Sequence, residues 1–260
     1  MAPIKVQASG GTAAQWENLW SVDYSAVSSA TWTAAGGPYS VTAASGSVGG
    51  AVDHVVRDGL NSLHGPDGAK GIAQTSTSGS LKYYNSDDAP ELVIDVADLL
   101  GGAVSADDVL AFTVTADGEL PNANWEAWGL AVVDTNNDGF QSRAIWLSSA
   151  EQIRFGRVIA SAAATTSVAQ SGVRLLQIIL YPGESARFGY ETSNTALTVG
   201  TMATQIDATK DYGNIESRVA GSTVKRLDFA NMRLVLFSES QNSASYPHIF
   251  KGLQVWRGVP

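Results

Sequence analysis

The chain of 260 residues contains no cysteine. That excludes a disulfide framework, a thiolate nucleophile and any cysteine-based zinc site. Histidine is nearly as scarce: the 3 residues, His54, His64 and His248, stand in unrelated contexts. No H-E-x-x-H, G-x-S-x-G or phosphate-loop motif accompanies them. Long apolar runs are missing too, and the longest, such as Leu175 to Tyr181, fall far short of a bilayer span. The start, MAPIKVQASGG, has no basic segment followed by an apolar one. A secretory signal is therefore not expected, and the chain carries no N-x-Ser/Thr sequon. Charge is sparse and acidic: 16 basic against 25 acidic residues give −9, with Lys and Arg scattered. A nucleic-acid binder gathers its basic residues in a patch, so neither nucleic acid nor a membrane is an expected partner.

What is present is Gly, Ser, Thr, Ala and Val in short β-rich runs. Strands are expected at 39–43, 81–84, 91–96, 110–115, 127–133, 140–147, 152–158, 173–181, 186–190, 233–238 and 249–256. Turn residues separate them, as in ADGE at 116–119, NNDG at 136–139 and PGES at 182–185. Many short strands with turn punctuation predict an all-β, antiparallel β-sandwich. Leu175-Leu-Gln-Ile-Ile-Leu-Tyr181 is almost continuously apolar, the pattern of a central strand covered on both faces. Short helices are expected at Ala13 to Trp20, where Trp16, Leu19 and Trp20 follow helical spacing, and near Val224 to Met232. Ser161 to Ser171 and Thr192 to Thr201 are small and polar and read as long loops. Residues 1–12 have few large apolar side chains and read as an extended N-terminal arm. Residues 13–260 read as one β-sandwich domain.

Three groups of residues carry candidate chemistry. In GLAVVDTNNDGF (129–140), Asp134, Asn136 and Asp138 alternate ahead of Gly139 like the first half of a calcium loop. A full loop needs a bidentate Glu at its twelfth position. Here that position is Ile145, so the loop offers a partial shell at best: no cofactor is expected, and calcium is the one candidate. The competing reading is a plain hairpin turn, since Asn, Asp and Gly tolerate positive φ. In PNANWEAW (121–128), Asn122, Asn124, Trp125 and Glu126 with Trp128 offer an aromatic face and amides suited to a sugar. The alternative is that Trp128 opens a strand as core and Trp125 packs beneath the loop. Trp16 and Trp20 form the third group, either core or an anchor for a partner; Trp32 nearby reads as core. Catalysis finds little support. Asp53 and His54 are adjacent without a recognisable serine partner, Gly65-Pro-Asp-Gly-Ala-Lys70 lacks phosphate-loop spacing, and Glu91-Leu-Val-Ile-Asp95 has the wrong spacing for a paired-carboxylate glycosidase. No enzyme is expected.

Two resemblances attach to these residues. GLAVVDTNNDG is similar, over about ten residues, to the strand and Asp-Asn-Asp calcium loop of legume-type lectins, which implies a concanavalin A-like sandwich. The whole chain resembles structural proteins of tailed bacteriophages. It shares with them a polar arm after the initiator Met, a sandwich-like body, no cysteine, small-residue loops and the closing RLVLFSESQNSASYPHIFKGLQVWRG. That resemblance implies a jelly-roll or concanavalin A-like virion surface protein, first a capsid decoration (cement) protein, with a tail or fibre subunit close behind. It implies a homotrimer, the major capsid protein or other virion proteins as partners, and location on the virion after synthesis in the host cytoplasm. A carbohydrate-binding module for a host-surface glycan, assisted by calcium, is the alternative.

Overall fold

Alternation along the strands sorts this sequence into two layers. In Val109–Asp117, Leu110, Phe112, Val114 and Ala116 share one side, and Ala111, Thr113 and Thr115 the other. A computed structural model describes residues 15–27, 38–57, 63–66, 72–75, 91–101, 108–117, 126–134, 141–147, 152–159, 162–169, 172–180, 186–192, 204–205, 231–240 and 248–259. Its strands form two 8-stranded sheets, in which every pairing is antiparallel. Sheet A holds β1 (Gln15–Asp23), β4 (Leu63–Pro66), β5 (Ile72–Thr75), β7 (Val109–Asp117), β12 (Leu175–Leu180), β13 (Ala186–Glu191), β14 (Thr204–Gln205) and β16 (His248–Val259). Sheet B holds β2 (Tyr39–Thr42), β3 (Ala51–Arg57), β6 (Glu91–Asp95), β8 (Glu126–Asp134), β9 (Gln141–Leu147), β10 (Gln152–Ile159), β11 (Ala162–Ala169) and β15 (Met232–Ser240). The order across sheet A is β14-β13-β12-β7-β16-β5-β4, with β1 also paired to β16; across sheet B it is β11-β10-β9-β8-β15-β6-β3-β2.

The expected all-β sandwich is therefore the observed fold. Its core joins both sheets: Phe112, Val114, Leu176, Ile178, Leu253 and Val255 from sheet A meet Leu92, Ile94, Leu130, Val132, Leu234 and Leu236 from sheet B. Burying each such side chain stabilises the fold by about 1.5–3 kcal/mol. Trp128 of sheet B meets Phe250 of sheet A edge-on, with centroids 6.2 Å apart. As expected, Leu175–Leu180 is interior, and all its residues are buried.

A seam holds β1 in place. The carbonyls on its edge away from β16 are taken by the segment between β2 and β3: Ala44 N–H donates to Ser21 O at 2.7 Å, Gly49 N–H to Leu19 O at 2.8 Å and Val48 N–H to Asn18 O at 3.3 Å. Trp20 Nε1 donates to Gly50 O at 3.1 Å. A short helix, α1 (Val96–Leu100), follows β6 and ends at Gly101, whose φ of 58° is the left-handed cap that glycine accepts without strain.

Several expectations change. Ala13 to Trp20 is not a helix: residues 15–20 belong to β1, and a register shift between Asn18 and Trp20 brings Leu19 and Trp20 both into the core. That bulge imitates helical spacing. Ser161 to Ser171 is not a loop, since Ala162–Ala169 pairs residue for residue with β10. Met232 opens β15 rather than closing a helix. Strands β3, β4, β5 and β14 and helix α1 add to the expected set, and Gly65 and Pro66 of the glycine-rich Gly65-Pro-Asp-Gly-Ala-Lys70 lie within β4. The expected arm (1–12), Trp32, the strand at 81–84, the helix at 224–230 and the loop at 193–201 lie outside the described residues.

Candidate functional site

The face of sheet A turned away from the core carries polar groups in an ordered array. Cross-strand partners share a face, so the register defines rows across the strands. One row runs Gln254 (β16), Thr113 (β7), Gln177 (β12) and Gly189 (β13). The next runs Asn18 (β1), Trp256 (β16), Ala111 (β7) and Ile179 (β12). Trp16 lies one step further, across from Gly258. A Cβ at Gly258 would stand 3.4 Å from the Trp16 ring, so glycine there leaves that ring its seat. Trp16, Val109 and Trp256 pack against the small apolar cluster of Ala111 and Ile179.

Exposure falls across this array. Trp16, Asn18, Gln254 and Trp256 are half-buried, whereas Thr113 and Gln177 are buried. Gln177 Nε2 donates to Thr113 Oγ1 at 2.9 Å. Among the described residues, the buried side-chain atoms without a hydrogen-bond partner are Asn18 Oδ1, Gln177 Oε1, Gln254 Oε1 and Trp256 Nε1. All of them sit on these two adjacent rows. A buried polar atom left unpaired costs about 1–3 kcal/mol, so native folds hold few of them. Each of these atoms is itself shut off from solvent, and on Asn18, Gln254 and Trp256 they belong to side chains that are only half-buried. Amide oxygens, an indole N–H and a threonine hydroxyl suit a neutral, hydroxyl-rich ligand, and the indole rings of Trp16 and Trp256 suit the apolar side of one.

Among the described residues, charged positions on this face are fewer. By register, Arg187 stands across from Ile179 and Glu191 across from Leu175 on β13, and Asp117 across from Ile249 on β7. Asp117 and Glu191 are two strands and two residues apart, or about 12 Å between backbones.

Of the residues the sequence singled out, Trp16 belongs to this face. Trp20 does not: it is fully buried in the core, its ring centroid 5.6 Å from that of His54. Glu126 and Asp134 are the two ends of β8 in sheet B, across from Ser240 and Met232. Asn122, Asn124, Trp125, Asn136 and Asp138 lie outside the described residues. The expected strands on both sides of 135–140 are observed and paired antiparallel, with Val133 across from Gln141, so a helix-loop-helix is ruled out there. Among the described residues no group of three or more His, Asp or Glu side chains is placed to hold a metal.

His54 is core rather than catalytic. Nδ1 lies 3.1 Å from Val52 O, a carbonyl that only accepts, so Nδ1 carries the proton. Nε2 of the neutral ring then accepts from the Tyr24 hydroxyl at 3.0 Å. Burial pushes the His54 pKa down to about 4, partly opposed by the Val52 carbonyl, and burial pushes that of Tyr24 up. Asp53, its neighbour, faces the other way and is exposed. Sequence reading missed Asn18, Gln177, Gln254 and Trp256. The signal for one was present: Gln177 is a lone amide in a strand otherwise apolar on both sides.

No protein-family model matches the sequence, and no curated protein does. Among solved structures the chain is similar to an endo-1,3-β-glucanase from Streptomyces sioyaensis, with a TM-score of 0.51 and 11% identity over 98% of this chain and 100% of that one. It is similar at a TM-score of 0.46 and 9% identity to the CBM2 module of the evolved Dit protein of Lactobacillus casei BL23 phage J-1, over 96% of this chain and 99% of that one. A third likeness is to botulinum neurotoxin type C, described as depending on two ganglioside molecules for cell entry; the TM-score is 0.40 and identity 6%, over 83% of this chain and 46% of that one. At such identities the likeness to the glucanase is one of fold alone.

Proposed function

We propose that this chain is a non-enzymatic recognition protein of the bacteriophage virion surface, and that the outer face of sheet A binds a neutral saccharide. The observation that carries the reading is the group of half-buried side chains Trp16, Asn18, Gln254 and Trp256, the last three with polar atoms that lack a partner. A sugar offers hydroxyls that both donate and accept, and a ring face of C–H groups for the half-buried indoles.

The test is tryptophan fluorescence and calorimetry with a panel of neutral hexasaccharides, including α-1,4-, β-1,4- and β-1,3-linked glucans. At least one member should bind and be recovered uncleaved. Trp256→Ala should weaken it ten-fold or more, and Trp256→Phe, which keeps a ring but loses the indole N–H, by less. The reading fails if no member binds at millimolar concentration, or if both variants bind like the parent.

A second reading, capsid decoration, draws on the position of β1. This strand starts at Gln15 on the flank of sheet A, beside the candidate face. An arm in that place suits docking across neighbouring capsid subunits, with the ordering cost met by the assembled shell.

A further inference from the structure

We infer that the saccharide lies lengthwise on the flank of sheet A, along β1 and β16, with the segment between β2 and β3 as its outer wall. This rests on the saccharide reading above and adds to it a direction and two contact residues, Ser47 and Val48. The direction follows from exposure. On the outer face of β7 and β12, Ala111, Thr113, Gln177 and Ile179 are buried, so the ligand cannot cross onto them. On β1 and β16 the same face stays half-buried along the strands. Trp16 lies across from the buried Gly258, and then come the half-buried pairs Asn18 with Trp256 and Ser21 with Gln254. One row further stand the exposed Asp23 and the half-buried Gly252. These rows form a strip two strands wide, about 10 Å, and about 20 Å long from Gly258 to Gly252. It is neutral over its first three rows and carries both indoles at one end. A strip of that shape takes a sugar chain parallel to the strands.

The wall is built by backbone and hydroxyl contacts to β1. Val48 N–H donates to Asn18 O at 3.3 Å, which seats Val48 beside Asn18. Val48 is 57% exposed, although the strand it borders is half-buried at Asn18. Ser47 Oγ accepts from Ser21 N–H at 3.1 Å and lies 3.1 Å from Ser21 Oγ. A hydroxyl pair therefore stands on the row of Gln254, and an apolar side chain on the row of Trp256. Hydroxyl groups suit the rim of a sugar chain and apolar groups its C–H faces.

The chain has no cysteine, so Val48→Cys gives a single attachment point for an environment-sensitive fluorophore. Val55, 41% exposed on β3 of sheet B, gives the control through Val55→Cys. On the full chain, the hexasaccharide that binds should shift the emission of the label at position 48, or lose affinity five-fold or more because of it. The label at position 55 should do neither. Gln177→Met and Thr113→Val change buried positions beside the strip and should leave affinity within two-fold. Affinity should rise ten-fold or more from the monosaccharide to the trisaccharide. A label at position 48 that neither reports nor hinders binding, a five-fold loss in both buried variants, or a monosaccharide as tight as the hexamer overturns the lengthwise arrangement. The saccharide reading then still stands on Trp256→Ala. Failure of the whole panel overturns both.

Discussion

At the scale of single residues, His54 shows how burial sets chemistry. Its ring spends both nitrogens inside the core, on Val52 O and the Tyr24 hydroxyl. Burial, acting against the Val52 carbonyl, brings its pKa from 6.5 down to about 4. The folded state thus resists a proton that the unfolded chain accepts. Stability from this group is complete above the unfolded value and is lost as pH falls toward the folded one. The lead of the parent over His54→Gln in urea unfolding should shrink by roughly 3 kcal/mol between pH 7 and pH 4. A constant lead would mean that His54 is not the group that senses acid. The same scale explains why the candidate face was hard to read. Gln254 and Asn18 are ordinary polar residues of alternating strands, and only the register sets them beside Gln177 and Trp256.

At the scale of elements, much of the fold was legible, because period-2 alternation and turn residues act locally. Expected strands at 39–43, 91–96, 110–115, 127–133, 152–158, 173–181 and 186–190 all fall on observed ones. The failures have local causes. A bulge in β1 makes Trp16, Leu19 and Trp20 look helical, and β11 is an edge strand of Ala, Ser, Thr and Val with little apolar content to announce it. The seam around β1 depends on something no periodicity reveals, the close approach of Gly49. A Cβ there would stand 3.0 Å from the Trp20 ring and 3.2 Å from Leu19 O, whereas one at Gly50 would meet nothing within 4 Å. Gly49→Ala should therefore cost about 1–3 kcal/mol in chemical unfolding through overpacking, and Gly50→Ala should be close to neutral. Equal effects would show that the Gly49 contact does not hold β1.

At the scale of the molecule, the sandwich separates two tasks. One apolar core joins the sheets and makes the body rigid, while the outer face of sheet A keeps polar groups whose burial weakens the fold unless something bonds to them. Such a rigid body can recognise a glycan as a monomer. The virion reading asks for more, since a homotrimer matches the three-fold contacts of a capsid lattice. Light scattering after size exclusion should give the mass of three chains. Because β1 begins at Gln15, deleting residues 1–12 should leave the melting transition and saccharide binding unchanged while abolishing attachment to capsids. A one-chain mass together with normal capsid attachment by the truncated protein would remove the decoration role. The saccharide reading would survive that result, because every residue of the candidate face lies in strands β1, β7, β12, β13 and β16 of one chain.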